Sequence, residues 1–139
     1  KYATPEGMEP NQRVVDRAVE IGKQTGAKVV ATNDPVEAVS DAGVIYTDIF
    51  VSMGEEHLKD KFDAFNGFQV NEELVSNAND NYLFMHCLPA HRGEEVTDAV
   101  IDSKNSIVFD QAENRMWAQM SLLTYMCNPI AWQAYRDLY

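Results

Sequence analysis

Short apolar runs alternate with stretches of helical spacing along this chain. Residues 10–25 carry Val14, Val15, Ala18, Val19 and Ile21 as a helix-like stripe, with Gly26 as its stop. Lys28-Val29-Val30-Ala31 reads as a short buried strand. Asp34-Pro35-Val36-Glu37 then combines a capping aspartate, a proline suited to the first helical position and a capping-box glutamate. Gly43 is the expected end of that helix, and Val44-Ile45-Tyr46-Thr47 the next strand. A polar helical stretch follows Gly54 through Lys61, and another covers residues 71–77. Tyr82-Leu83-Phe84-Met85-His86-Cys87 is the clearest strand in the chain. A short helix over 97–102 leads to an expected strand, Ser106-Ile107-Val108-Phe109, and a long helix from Ala112 to about Met126. Asn128-Pro129 breaks it before a last helical piece.

Strands alternating with helices predict βαβ units, hence an α/β fold of three layers around a parallel sheet, in one domain. In such sheets the ligand crevice lies beyond the carboxyl ends of the strands. The opening residues Lys1-Tyr2-Ala3-Thr4-Pro5 read as a strand already ending, so a fragment is expected rather than a complete gene product.

The formal net charge of −11 argues against nucleic acid and anionic membrane as partners, because both need a basic footprint. An anionic small molecule stays admissible, since one arginine in a focused pocket outweighs a diffuse acidic surface. No apolar run reaches bilayer length. Cys87 and Cys127 form neither a disulfide framework nor a zinc pattern, which fits a reducing intracellular compartment.

Three loops at strand ends carry candidate chemistry. In Asp48-Ile49-Phe50-Val51-Ser52-Met53-Gly54, a carboxylate and a hydroxyl can receive an ammonium and a carboxylate, and Gly54 allows a loop that closes. The plainer alternative is that Asp48 caps a helix. In His86-Cys87-Leu88-Pro89-Ala90-His91-Arg92-Gly93, Pro89 fixes the backbone after the strand and can form a cis peptide, making the Leu88 carbonyl a rigid acceptor. Cys87 there is a nucleophile or inert packing; His86 and His91 give it no clear Cys–His–Asn arrangement and read most simply as structural groups. In Phe109-Asp110-Gln111-Ala112-Glu113-Asn114-Arg115, a helix N-terminus and the Arg115 guanidinium can hold an oxyanion; otherwise Arg115 pairs with Glu113 or Asp110.

Together these loops resemble the transcarbamoylases. "FMHCLPAHRGEEVTD" resembles the His-Cys-Leu-Pro signature of the ornithine branch, "YTDIFVSMGEE" its Asp-x-x-x-Ser-Met-Gly loop, and "IVFDQAENRMWAQMSLL" its closing segment. The resemblance runs from Ala3 to about Leu123. It implies a Rossmann-like fold, incomplete at its N-terminal end, and transfer of a carbamoyl group from carbamoyl phosphate to the δ-amine of ornithine without metal or redox cofactor. It gives Asp48 the α-amino group of ornithine, and Ser52 and Met53 its amino-acid end. Cys87 falls beside the reacting amine, the Leu88 carbonyl on the carbamoyl NH₂, and Arg115 on the carbamoyl oxygen and phosphate. Cys87 is thereby a positioning neighbour rather than a covalent nucleophile.

The family's Ser-x-Arg-Thr-Arg and His-Pro-x-Gln segments, which hold carbamoyl phosphate, do not occur in these residues. Neither does the first strand–helix unit of the ornithine domain. The resemblance therefore implies an ornithine-binding half that needs a missing N-terminal domain, inactive alone, from an enzyme expected to be a homotrimer in the cytoplasm or the mitochondrial matrix. In the family the last long helix packs on that domain, so Trp117, Met120, Leu123 and Tyr125 are expected to lack their usual cover. Putrescine is disfavoured as substrate by Ser52-Met53-Gly54; N-acetylornithine fits Ala90-His91-Arg92 less well than ornithine does. The competing class is a non-catalytic α/β module that binds an amino acid or a protein.

Overall fold

The structure, a computed structural model, describes residues 1–51 and 59–137. In chain order the elements are β1 (Tyr2–Ala3), α1 (Gln12–Thr25), β2 (Ala31–Thr32), α2 (Pro35–Val39), β3 (Val44–Thr47), α3 (Lys59–Ala64), α4 (Glu72–Val75), β4 (Leu83–His86), α5 (Asp98–Ile101), α6 (Val108–Cys127) and α7 (Pro129–Arg136). The alternation is that of an α/β fold, and both strand pairings are parallel.

Local chemistry explains most boundaries. The Asn11 side chain accepts the Arg13 N–H at 3.0 Å and opens α1. Gly26, at φ 80°, closes it in the left-handed conformation that a Cβ disfavours. Asp34 caps α2 through the Val36 N–H at 2.8 Å, and Pro35 starts it. The expected capping box does not form. Glu37 instead takes the Thr32 hydroxyl at 2.5 Å, while the Asp34 N–H donates to Thr32 Oγ1 at 3.1 Å. Helix α2 also ends earlier than Gly43: Ser40 is its C-cap, and Asp41 turns the chain at φ 56° with its N–H on the Asn77 carbonyl.

Two strand expectations need correction. The strand placed at residues 28–31 lies at Ala31–Thr32, where pairing with Tyr2 and Ala3 sets it. The strand placed at 106–109 is a single bridge, Phe84 to Ser106, after which the chain winds directly into α6 at Val108. The β-branched, aromatic run 106–109 suits a strand locally, but Val108 is 1% exposed because the helix start packs it in the core.

Parity along the strands shows how the sheet is arranged. Tyr2 and Thr4 donate to β2 residues and their flank, so the backbone groups of Lys1 and Ala3 face the other way. The Gly43 carbonyl accepts from Leu83 of β4, so those of Val44 and Tyr46 face away from β4. These two free edges line one cavity of about 350 Å³ together with Pro35, Val39 and Phe65. Among the described residues the sheet is thus two parallel pairs with a gap between them, not one continuous ladder.

The core gathers behind β4. Phe84 and Val96 are fully buried, with Val100, Ile101, Val108 and Leu74 around them. Helix α6 leaves this core after its first turn: Trp117, Met120, Leu123 and Tyr125 are 51%, 51%, 59% and 55% exposed. Helix α7 folds back on it, with Trp132 edge-on to Tyr125 at 5.6 Å. No described helix is long and apolar enough to cross a membrane.

Candidate functional site at the ends of β3 and β4

The register of β3 and β4 pairs Thr47 with His86. The next residue on each strand is therefore Asp48 on one and Cys87 on the other, side by side where the strands end. The Cys87 thiol donates to Asp48 Oδ1 at 3.0 Å, and the same oxygen accepts the Ile49 N–H at 2.7 Å. Both side chains are exposed. The Asp48 hydrogen bond raises the Cys87 thiol above its ordinary pKa, with burial and the Asp48 charge acting the same way. Deprotonation would set two anions against each other, so this is a held thiol and not an activated thiolate.

His86 anchors the loop that follows. It is fully buried, as is Glu95. Its Nδ1 accepts the Leu88 N–H at 2.9 Å, so the proton of the neutral ring is on Nε2. Nε2 lies 3.2 Å from Glu95 Oε1, close but without hydrogen-bond alignment. Glu95 Oε1 also accepts the His91 N–H at 2.6 Å. Between these fixed points Leu88 adopts φ 55° and the Leu88–Pro89 peptide is cis. Gln69 braces the far side, donating to the Gly93 and Glu94 carbonyls at 2.7 and 3.0 Å.

Gln111 was not among the expected site residues, yet it joins the two strand ends to α6. Its Oε1 accepts the His86 N–H at 3.1 Å and its Nε2 donates to the Tyr46 hydroxyl at 3.1 Å. The Phe84 N–H, on the same edge of β4, has the Asn105 carbonyl as partner. One rung further the neighbouring chain has become helix, and the Gln111 side chain takes the place of the missing backbone partner. The only sequence signal was an amide in the first turn after an apolar run.

Arg115 stands elsewhere than expected. It lies two turns into α6 and not at its N-terminus, its side chain is exposed, and no ion pair with Glu113 or Asp110 forms among the described residues. Glu113 accepts instead from the Trp117 indole at 3.2 Å. Ser52 and Met53 lie outside the described residues; Phe50, just before them, stacks on Phe65 at 4.5 Å. The cavity between the strand pairs touches Asp48 but not Cys87, Leu88 or Arg115. It is therefore read as the gap in the sheet and not as a substrate pocket. His91, Glu94 and Glu95 have carboxylate and ring atoms within 4.8 Å of one another. Glu95 Oε1 already accepts the His91 backbone N–H and lies 3.2 Å from His86 Nε2, so the group is a packed polar corner and not a cation site.

The site thus holds a carboxylate and a protonated thiol side by side at the strand ends, above a buried histidine–glutamate pair. Residues 1–126 match the family model described as aspartate/ornithine carbamoyltransferase, Asp/Orn binding domain. The chain belongs to the aspartate/ornithine carbamoyltransferase family. The catabolic ornithine carbamoyltransferase of Thermoplasma acidophilum is 58% identical over 122 residues, 87% of this chain and 40% of that protein. The ornithine carbamoyltransferase structure from Pyrococcus furiosus superposes with a TM-score of 0.83 at 54% identity, covering 88% of this chain and 39% of that one. An acetylornithine transcarbamylase complexed with acetylcitrulline is more distant, at 31% identity and a TM-score of 0.69 over 80% of this chain and 34% of its own. The chain spans 40% of the length of the Thermoplasma relative.

Proposed function

We propose that this chain is the ornithine-binding domain of an ornithine carbamoyltransferase, and that the length it does not span supplies the carbamoyl phosphate domain. The observation that carries this reading is the Cys87 thiol held on Asp48 at 3.0 Å, where two parallel strands end together. An exposed carboxylate there accepts the α-ammonium group of ornithine, and Ser52 and Met53 take its amino-acid end. The neutral δ-amine attacks the carbonyl carbon of carbamoyl phosphate, forming the C–N bond. The tetrahedral intermediate then expels phosphate as the C–O bond breaks, and the amine proton leaves with the departing phosphate or solvent. The Leu88 carbonyl accepts from the carbamoyl NH₂, and Arg115 neutralises charge on the carbamoyl oxygen and phosphate. The chain's own contribution is orientation and electrostatics. The raised thiol supports Cys87 as a neighbour of the amine, not as the nucleophile.

Ornithine is preferred over N-acetylornithine because the ornithine relatives are closer, at 58% against 31% identity. The whole enzyme is read as a cytoplasmic homotrimer, with the α6 row of Trp117, Met120 and Leu123 packing on the carbamoyl phosphate domain. The competing reading is a module that binds an amino acid without turnover. Calorimetric titration of the chain with L-ornithine tests the site. Asp48→Asn is expected to weaken binding by about tenfold or more, the loss of one charge-assisted hydrogen bond. Equal affinity in the two proteins, or no binding by either, sinks the assignment of Asp48.

A further inference from the structure

Apart from Asp48 and Cys87, the most unusual group in the molecule is the fully buried pair His86 and Glu95. A buried carboxylate is costly unless its hydrogen bonds are met. Here one oxygen, Oε1, gathers the His91 N–H at 2.6 Å and lies 3.2 Å from His86 Nε2, while Oε2 has no partner among the described residues. The ring's other nitrogen holds the Leu88 N–H at 2.9 Å. The two side chains therefore grip both ends of the segment 88–91, one through the Leu88 amide and the other through the His91 amide. A non-glycine residue at φ 55°, Leu88, sits inside this grip and needs its surroundings to hold it there. Cys87 is the residue between the buried ring and the gripped amide.

We propose that His86 and Glu95 are positioning residues, a buried strap that fixes the loop so that Cys87 faces Asp48 and Leu88 keeps its left-handed backbone. They touch no substrate and act through Cys87 and Leu88. The proposal rests on the reading of this loop as the carbamoyl transfer site for its purpose, but its test does not depend on ornithine.

The reporter is the Cys87 thiol itself, titrated by its rate of alkylation with iodoacetamide across pH in a Cys127→Ser background, since Cys127 is also exposed. With the strap intact, the profile has its midpoint above that of an ordinary thiol, and Asp48→Asn brings it down. Glu95→Ala is expected to bring it down as well, with the fold retained by circular dichroism, because the loop no longer holds Cys87 against Asp48. Each unit of fall raises the thiolate fraction at neutral pH about tenfold. The weaker nucleophile gives back part of this, leaving about a threefold faster reaction per unit. Glu95→Gln keeps an acceptor oxygen and is expected to restore most of the original profile. A folded Glu95→Ala protein with an unchanged profile overturns the strap, as does an unchanged profile in Asp48→Asn. If Glu95→Ala does not fold, nitrogen spectra of the unsubstituted chain decide. A proton on Nε2 of His86 with a slowly exchanging Leu88 amide supports the strap; a proton on Nδ1 or a freely exchanging amide overturns it. Ornithine titration is read separately, so loss of the strap and loss of the substrate assignment are told apart.

Discussion

Replacing Gln111 with alanine isolates the contact that ties helix α6 to both strand ends. The amide makes two hydrogen bonds, accepting the His86 N–H at 3.1 Å and donating to the Tyr46 hydroxyl at 3.1 Å. The two losses are unequal. Tyr46 is 55% exposed, so water replaces its lost partner and the cost there is about 0.5 kcal/mol. His86 is fully buried, and its N–H faces the edge of β4 that the chain has left to form α6. That donor is left unsatisfied, at about 1–3 kcal/mol. Gln111→Ala should therefore lower the unfolding free energy by about 2 kcal/mol, measured by urea denaturation at constant slope. Gln111→Glu is the control. Its carboxylate still accepts the His86 N–H, and the Tyr46 hydroxyl can turn to donate, so most of the stability should remain. Tyr46→Phe should cost only the smaller share. A Gln111→Ala protein within about 0.5 kcal/mol of the parent would refute the reasoning, because the His86 amide would then have another partner.

Gly22→Ala should destabilise α1 by more than the helix propensity of alanine returns, because the new Cβ would stand 2.5 Å from the Ala27 carbonyl oxygen; a raised melting temperature contradicts this. Phe84→Ala empties the centre of the core behind β4 and should cost about 3–5 kcal/mol in denaturant unfolding. Arg92 donates to Asp98 at 2.6 Å and to both oxygens of Asp102 at 2.6 and 2.9 Å. The hydrogen bond from Arg92 lowers the Asp102 carboxyl below its ordinary value. A carboxyl lowered in the fold contributes stability above its unfolded value and loses it as pH falls through the folded one. The stability difference between the parent and Arg92→Ala should thus be level near neutral pH and shrink only below about pH 3.9, more weakly in high salt. A difference that shrinks between pH 8 and 5 rules out this pair as its source.

The parts of the fold legible in the chain are those decided by neighbouring residues. Asp34-Pro35 starts a helix because one side chain caps and one ring presets the backbone, whatever surrounds them. Gly26 stops α1, and Asn128-Pro129 separates α6 from α7, for equally local reasons. The run 106–109 misleads because a strand and a buried first helical turn want the same residues; only the packing of Val108 behind Phe84 chooses. Glu37 has a capping-box spacing, but the Thr32 hydroxyl of β2 is a nearer partner and spacing carries no record of it.

The site shows the same division. Asp48 and Cys87 were legible as strand-end residues, and the register of Thr47 with His86 brings them into contact. Their mutual hydrogen bond was not legible, since 39 residues separate them. Nothing in Gly93-Glu94-Glu95 separates the two acids, and only its complete burial beside His86 distinguishes Glu95 from Glu94. Gln111 was hidden for the complementary reason. It replaces a backbone partner that the expected strand at 106–109 would have supplied.

The account rests most heavily on Asp48 and Cys87 as the ornithine side of a divided transferase site. The direct test is citrulline formation from ornithine and carbamoyl phosphate, run with the chain alone and with the part of the Thermoplasma acidophilum enzyme that it does not match. The account predicts no turnover by the chain alone, turnover in the mixture, and its loss with Asp48→Asn. No turnover in a mixture whose two parts demonstrably associate, or turnover indifferent to Asp48→Asn, would contradict it.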